Sequence, residues 1–405
     1  MSAVSHTEAD QTATAPAAGK RYEAFDAMRG IAAISIATWH ANQIFGNGDW
    51  LGNAYLAVDM FFALSGFVLA HAYESRLANG MTALQFTRLR IIRFYPLYLL
   101  GLLFSSAGII GLWAIGHPGA LASQQIFALV LPSNLLMLPA PPDCTQCAYL
   151  FPLNAPAWSL FFELLINIAF AIAWRWLSYR VLIAICATAA SLLIYVSIEY
   201  SGLSVGWSWP TFAGGLARVC FSFPAGVLIY RVTRQRQPIA LNPWLLCSVL
   251  LLLLCMPISG SGKRALYDAL CVIVAFPMLI AFGGLMTANM STRSRSIFRL
   301  LGDMSYALYA VHWPLLTMLA KLLTIGLVIS SKTLPSFAIP CVVIVVAASW
   351  VIDRTYDTPL RRWLGTRNHK VAAAIGALRR GCLLMLVRTQ RAVSEYFAVR
   401  SIKNR

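Results

Sequence analysis

The chain has 405 residues, 59% of them hydrophobic and only 12% charged, with a mean hydropathy of +0.68. That balance excludes an ordinary soluble domain, which carries about twice the share of charged residues. The net charge of +17 would suit a nucleic-acid binder, but the basic residues are dispersed in short loops between apolar runs, the orientation pattern of a polytopic membrane protein.

Residues 1–21 are Ala/Thr-rich and polar, without an apolar core, and read as a disordered leader rather than a signal peptide. Apolar runs of the length needed to cross about 30 Å of hydrocarbon then lie at 25–45, 54–73, 92–115, 156–174, 181–199, 214–230, 243–258, 266–286, 304–327 and 337–355. Arginines cluster after every second run: Arg76, Arg88, Arg90 and Arg93, then Arg175 and Arg180. Arg231, Arg234 and Arg236 follow, then Arg293, Arg295 and Arg299, and last Arg361 and Arg362. The opposite loops hold chiefly Lys263, Arg264 and Lys332. This alternation predicts an all-α polytopic membrane protein of about ten transmembrane helices with both termini in the cytoplasm.

Segment 116–155 is the exception. Its apolar part is interrupted by Pro132, Pro139, Pro141 and Pro142, and counting it as a span would break the charge alternation. It reads as an outward-facing or re-entrant element packed against protein. Cys144 and Cys147, spaced as CTQC, have no second Cys or His pair nearby, so no metal site is expected. An exported disulfide and two idle thiols both remain open. The membrane domain covers 22–363, and 364–405 form a basic tail suited to an amphipathic helix on anionic lipid.

The first run, FDAMRGIAAISIATWH, carries Asp26, Arg29 and His40. At about 100° per residue, the steps from Arg29 to His40 bring both side chains onto one face, about 16 Å apart along the axis. Asp26 and Arg29, three apart, can pair on that face. Ionisable groups inside a membrane are functional candidates, because burying them unpaired costs several kcal/mol. Asp59, in VDMFFALSGF, is another buried acid for which pairing with an Arg is the preferred account. Ser65 and Gly66 suit close helix approach.

Arg90 and Arg93, one turn apart in RLRIIRFYP, can fork onto phosphate or serve as ordinary orienting charge. In NAPAWSLFFE, Ser159 and Glu163 share a face and Trp158 suits the interface. Glu163 can orient an imidazole, bind a sugar hydroxyl or pair with Arg218. Ser305, Tyr309 and His312 line one helical face in SYALYAVHWP. A lone His such as His312 is more often structural, whereas His40 shares its face with an Arg–Asp pair.

Taken in order, Asp26–Arg29–Gly30 with His40, FFALSG at 61–66, RIIRFYP at 90–96, WSLFFE at 158–163, SYALYAVH at 305–312 and DTPLRRW at 357–363 resemble the acyltransferase-3 family of bacterial integral-membrane O-acyltransferases. Asp357 stands where that family usually has Glu. The resemblance implies transfer of an acyl group, most often acetyl, from acyl-CoA to a hydroxyl of a surface or exported carbohydrate or glycolipid. It implies the bacterial inner membrane, acetyl-CoA as co-substrate and no permanently bound cofactor. His40 would be the catalytic group; Arg29, Arg90 and Arg93 match positions implicated in handling the donor, with Asp26 beside them. Asp26 and Arg29 lie too far along the helix to orient His40, so Asp59 or Glu163 is the expected group fixing its tautomer. The rival readings are a transporter of a small anion or lipid-linked sugar and a non-catalytic assembly partner.

Overall fold

The computed structural model describes residues 21–366, apart from 49, 118–119, 143, 145–146 and 288–289; for 120–126 it describes the backbone alone. The leader expected at 1–21, save Arg21, and the tail beyond 366 lie outside the described residues.

The chain runs through helices α1 (Glu23–Phe45), α2 (Ala57–Ala78), α3 (Ala83–Ala114), α4 (Ala120–Leu135), α5 (Ala157–Ala173), α6 (Tyr179–Glu199) and α7 (Phe212–Thr233). It continues through α8 (Pro243–Cys255), α9 (Ser261–Leu270), α10 (Phe276–Leu285), α11 (Thr292–Lys321) and α12 (Ala338–Ile352). Two parallel two-residue strands, Ile239–Ala240 and Met286–Thr287, are the described sheet. Local signals set several ends. Gly46 closes α1 in the left-handed region, its N–H bonding Asn42 O, and a Thr82–Gln85 capping box opens α3. Ser178, Asn242 and Ser291 cap α6, α8 and α11.

Among the described residues, seven helical stretches are long and apolar enough to cross a membrane: Ala54–Ala78, Ala83–Ala114, Tyr179–Glu199, Trp209–Thr233, Ser261–Leu285, Thr292–Gly326 and Leu334–Thr366. Helices α5 and α8 are apolar but shorter, at 17 and 13 residues. Helix α1 is long enough, but its polar stripe dilutes the apolar run. One stretch is carried past a π-helical turn at Cys271–Ala275, which joins α9 to α10. Ile183, Ile194, Ile198, Leu252, Val343 and Ile344 are exposed, an apolar exterior that suits lipid.

Close helix crossings set the interior. A Cβ on Gly66 would fall 2.0 Å from Phe223 O, and one on Gly226 would fall 1.9 Å from Ala63 O, so α2 and α7 meet backbone to backbone. Helices α1 and α11 pack as closely: Gly30 lies under Leu301, and Gly302 against the Asp26 side chain. These pairings carry the motifs of α1, α2 and α11 to a common interior.

The proline-broken segment forms α4 followed by irregular backbone that packs on protein. Leu150, Phe151 and Leu153 are buried, Ala140 N–H bonds Leu150 O at 2.7 Å, and Leu150 N–H bonds Trp207 O at 2.8 Å. Non-helical chain at membrane depth needs such internal partners. Cys144 and Cys147 are joined as a disulfide.

Candidate active site

Three cavities lie in series through the bundle. The first is a polar mouth of about 740 Å³, lined by Arg21, Asp26, Arg29, Arg93, Asp353 and Arg361 among others. The second, about 190 Å³, shares Arg29 and Arg93 with the mouth and adds Ser65, Arg90, Glu163, Ser305 and Tyr306. The third, about 280 Å³, holds His40 and a wall of aromatic rings. Val58, Trp158's neighbour Ser159 and Tyr309 mark the far end of the central cavity, and Val58 and Tyr309 also line the third.

At the mouth the carboxylate of Asp26 is held by both Arg29 and Arg21, and Arg21 continues to Asp303 at 2.8 Å. Arg361 pairs with Asp357 at 2.7 Å across one helical turn and approaches Asp353 at 3.7 Å. The acids hold the guanidinium groups in place, and the arginines outnumber them along the wall. Such a lining attracts a multiply charged anion.

In the central cavity Arg90 lies over the ring of Phe94 at 4.6 Å, and Arg93 over Tyr306 at 4.9 Å. Arg90 Nη2 is 3.9 Å from Glu163 Oε1, a long ion pair. The buried Nε atoms of Arg29 and Arg90 have no hydrogen-bond acceptor in the described protein, which leaves donors for a guest. Ser305 Oγ donates to Gly302 O at 2.7 Å, and Ser159 Oγ meets Tyr309 Oη at 2.5 Å.

The third cavity is built differently. His40 Nδ1 lies 2.9 Å from Nε2 of the fully buried His312, with Trp39, Trp313 and Tyr309 around the pair. Trp158, Tyr149 and Trp207 complete an aromatic wall. Tyr149 comes from the irregular segment after α4, so that segment is part of the site. Arg218, also on the lining of this cavity, forks onto Asp59, with Nη2 to Oδ2 at 2.6 Å and Nε within 3.2 Å of both oxygens. Arg218 also donates to Val205 O and Tyr55 O, each at 2.9 Å, and lies 5.1 Å from the Trp158 ring.

The residues singled out from sequence therefore fall into two groups on one path. Asp26, Arg29, Arg90, Arg93, Ser65, Glu163 and Ser305 occupy the mouth and centre; His40, Trp158 and Arg218 line the third cavity, with His312 buried behind His40 and Ser159 and Tyr309 between. One expectation is corrected. Neither Asp59 nor Glu163 bonds to His40, because Arg218 takes Asp59 and Arg90 faces Glu163. His312 is the partner, brought there by the tight α1–α11 crossing. Sequence reasoning passed over Arg21, Asp303, Trp39, Tyr149, Trp207 and Trp313. The adjacency of Trp39 to His40 and of His312 to Trp313 was the available signal for two of them.

A family model described as an acyltransferase domain matches residues 22–354. "Protein 2 in picA locus" of Rhizobium radiobacter is 40% identical over 193 residues, covering 45% of this chain and 97% of that protein. "Acyltransferase MdmB" of Streptomyces mycarofaciens is 26% identical over 376 residues, covering 86% of this chain and 93% of that one. No solved structure matches the chain. With the match running across nearly all of the membrane domain, the chain belongs to the acyltransferase-3 family and is an acyltransferase moving groups other than amino-acyl groups.

Proposed function

We propose that the protein is an O-acyltransferase of the bacterial inner membrane that moves an acyl group, acetyl in the first instance, from acyl-CoA to a hydroxyl of a surface or exported carbohydrate. The observation that carries this reading is the adjacency of the three cavities, the mouth and centre both lined by Arg29 and Arg93 and the centre and third both lined by Tyr309. In this account ten helices cross the bilayer with both termini in the cytoplasm, so the arginine-rich mouth opens where CoA thioesters are made. The Cys144–Cys147 disulfide supports an oxidising environment for the opposite side.

The chemistry follows from the lining. Phosphates of the donor meet Arg29, Arg90 and Arg93, and the pantetheine arm threads the narrow central cavity, bridging the ~16 Å of helix between Arg29 and His40. The thioester then stands at the third cavity, where the aromatic wall takes the acceptor by stacking on the apolar face of a sugar ring. A hydroxyl is a weak nucleophile, and the His40 imidazole accepts its proton as the oxygen attacks the thioester carbonyl. Collapse of the tetrahedral adduct breaks the C–S bond; the imidazolium returns the proton to the sulfur, and free CoA leaves through the mouth.

In a variant of the scheme His40 is acylated first and hands the group on. Rapid quench with labelled acetyl-CoA and no acceptor separates the two, since direct transfer leaves no acyl label on the protein. The reading as a whole is tested by reconstituting the protein in liposomes with labelled acetyl-CoA and a panel of oligosaccharides. Acceptor-dependent label in glycan supports it. Binding of CoA with no transfer to any carbohydrate would move the acceptor to another class of hydroxyl compound.

A further inference from the structure

The two imidazoles form a directional relay, and its direction can be read from the acceptors at one end. His312 Nδ1 lies 3.0 Å from Leu308 O and 2.9 Å from Tyr309 O. A carbonyl oxygen only accepts, so Nδ1 of His312 carries a hydrogen. His312 is 0% exposed, and among the described residues no carboxylate bonds to either ring, so an imidazolium there would be a buried uncompensated charge. His312 is therefore neutral, its Nε2 is a lone-pair acceptor, and the hydrogen of the 2.9 Å contact belongs to Nδ1 of His40.

Ring geometry agrees with a true hydrogen bond. The centroids are 5.1 Å apart with 21° between planes. That separation is what a 2.9 Å N···N contact plus the two ring radii requires, so the rings meet edge to edge and in line, not face to face.

We infer that His312 is a positioning residue for the transfer: it holds His40 in the Nδ1–H tautomer and so keeps the bare Nε2 lone pair of His40 turned toward the acceptor cavity. His312 does not itself reach that cavity, whereas His40 lines it. In the other tautomer His40 would present an N–H and accept no proton. When the imidazolium forms, the same bond lets the neutral His312 share its charge through Nε2, and the backbone carbonyls of Leu308 and Tyr309 anchor the far end.

This inference deepens the reading of the site as an acyltransferase centre, and its first test does not depend on activity. Protein labelled with ¹⁵N-histidine and reconstituted in bilayers gives tautomer-specific nitrogen resonances, assigned to His40 by their loss in His40→Gln. The wild type is expected to show protonated Nδ1 and bare Nε2, and His312→Phe to lose that single tautomer. A wild-type His40 protonated at Nε2, or a His40 unchanged in His312→Phe, would overturn the inference.

Kinetics supply the second arm. His312→Gln keeps an acceptor oxygen near the Nε2 position, His312→Asn keeps only a donor near Nδ1, and His312→Phe keeps neither. The Asn and Phe variants are expected to lose about 10²-fold or more in kcat, with the KM for acetyl-CoA unchanged. The Gln variant is expected to recover most of that loss. Equal losses in all three folded variants would overturn a positioning role. If the resonances behave as expected but no acyl transfer is found, the tautomer assignment stands and the functional reading falls.

Discussion

Arg218 and Asp59 form a forked ion pair in which both side chains are 1% exposed, linking α7 to the start of α2. Breaking such a pair strands a charge. Arg218→Ala or Asp59→Ala is expected to cost about 3–5 kcal/mol of stability. Asp59→Leu combined with Arg218→Met should recover much of it, because an apolar pair of similar volume leaves no orphan. Thermal unfolding of the purified variants in detergent measures this. A double variant no more stable than the singles would contradict a clamp.

The arginines of the central cavity should act on the donor. Arg90→Ala and Arg93→Ala each remove a charged donor worth about 1.5–3 kcal/mol, so the KM for acetyl-CoA is expected to rise roughly 10- to 100-fold. Lysine at either position should fall between wild type and alanine, since a point charge cannot fork onto phosphate. Steady-state kinetics with the acceptor saturating check this, and an unchanged donor KM would remove these residues from the donor path.

The aromatic wall should act on the other substrate. Tyr149 lies 5.4 Å from Trp207 and 5.9 Å from Trp313 between ring centroids. Tyr149→Ala is expected to weaken acceptor binding by about 0.5–1.5 kcal/mol, raising the acceptor KM and leaving that of acetyl-CoA alone. A rise in the donor KM instead would reverse the assignment of the cavities.

The α2–α7 crossing has no room for a methyl group. A Cβ at Gly66 or Gly226 would overlap a carbonyl oxygen of the facing helix, and the obstacle is backbone, which cannot rotate aside. Gly226→Ala should cost about 1–3 kcal/mol or more, seen as a lower unfolding temperature and reduced monodisperse yield. Gly111, which has nothing within 4 Å of its added Cβ, is the matched control and should tolerate Ala.

Much of this organisation is written locally. Apolar runs mark most of the helices, and the spacing of Asp26, Arg29 and His40 places them on one face without reference to packing. The Asp26–Arg29 pair, three residues apart, was legible for the same reason. Partners that depend on which helices touch were not. His40 and His312 are 272 residues apart in the chain, and only the α1–α11 crossing joins them. Sequence alone offers Arg218 as a partner for Glu163 and leaves the Arg that meets Asp59 unnamed; α7 packing on α2 gives Arg218 to Asp59. Tyr149 sits in irregular chain without periodicity, so nothing local marked it as a wall of the site. The π-helical turns at Cys271–Ala275, Leu322–Gly326 and Asp353–Asp357 likewise have no composition of their own.

The central claim is that His40 is the base for acyl transfer at the end of a donor path that begins among arginines. The most direct measurement is transfer of radiolabelled acetyl from acetyl-CoA to extractable glycan, in membranes carrying wild type or His40→Ala at equal abundance, with CoA binding measured on both. The account predicts label in the wild type, none in the variant, and CoA bound by both. Equal label in the two membranes would contradict it and take His40 out of the reaction.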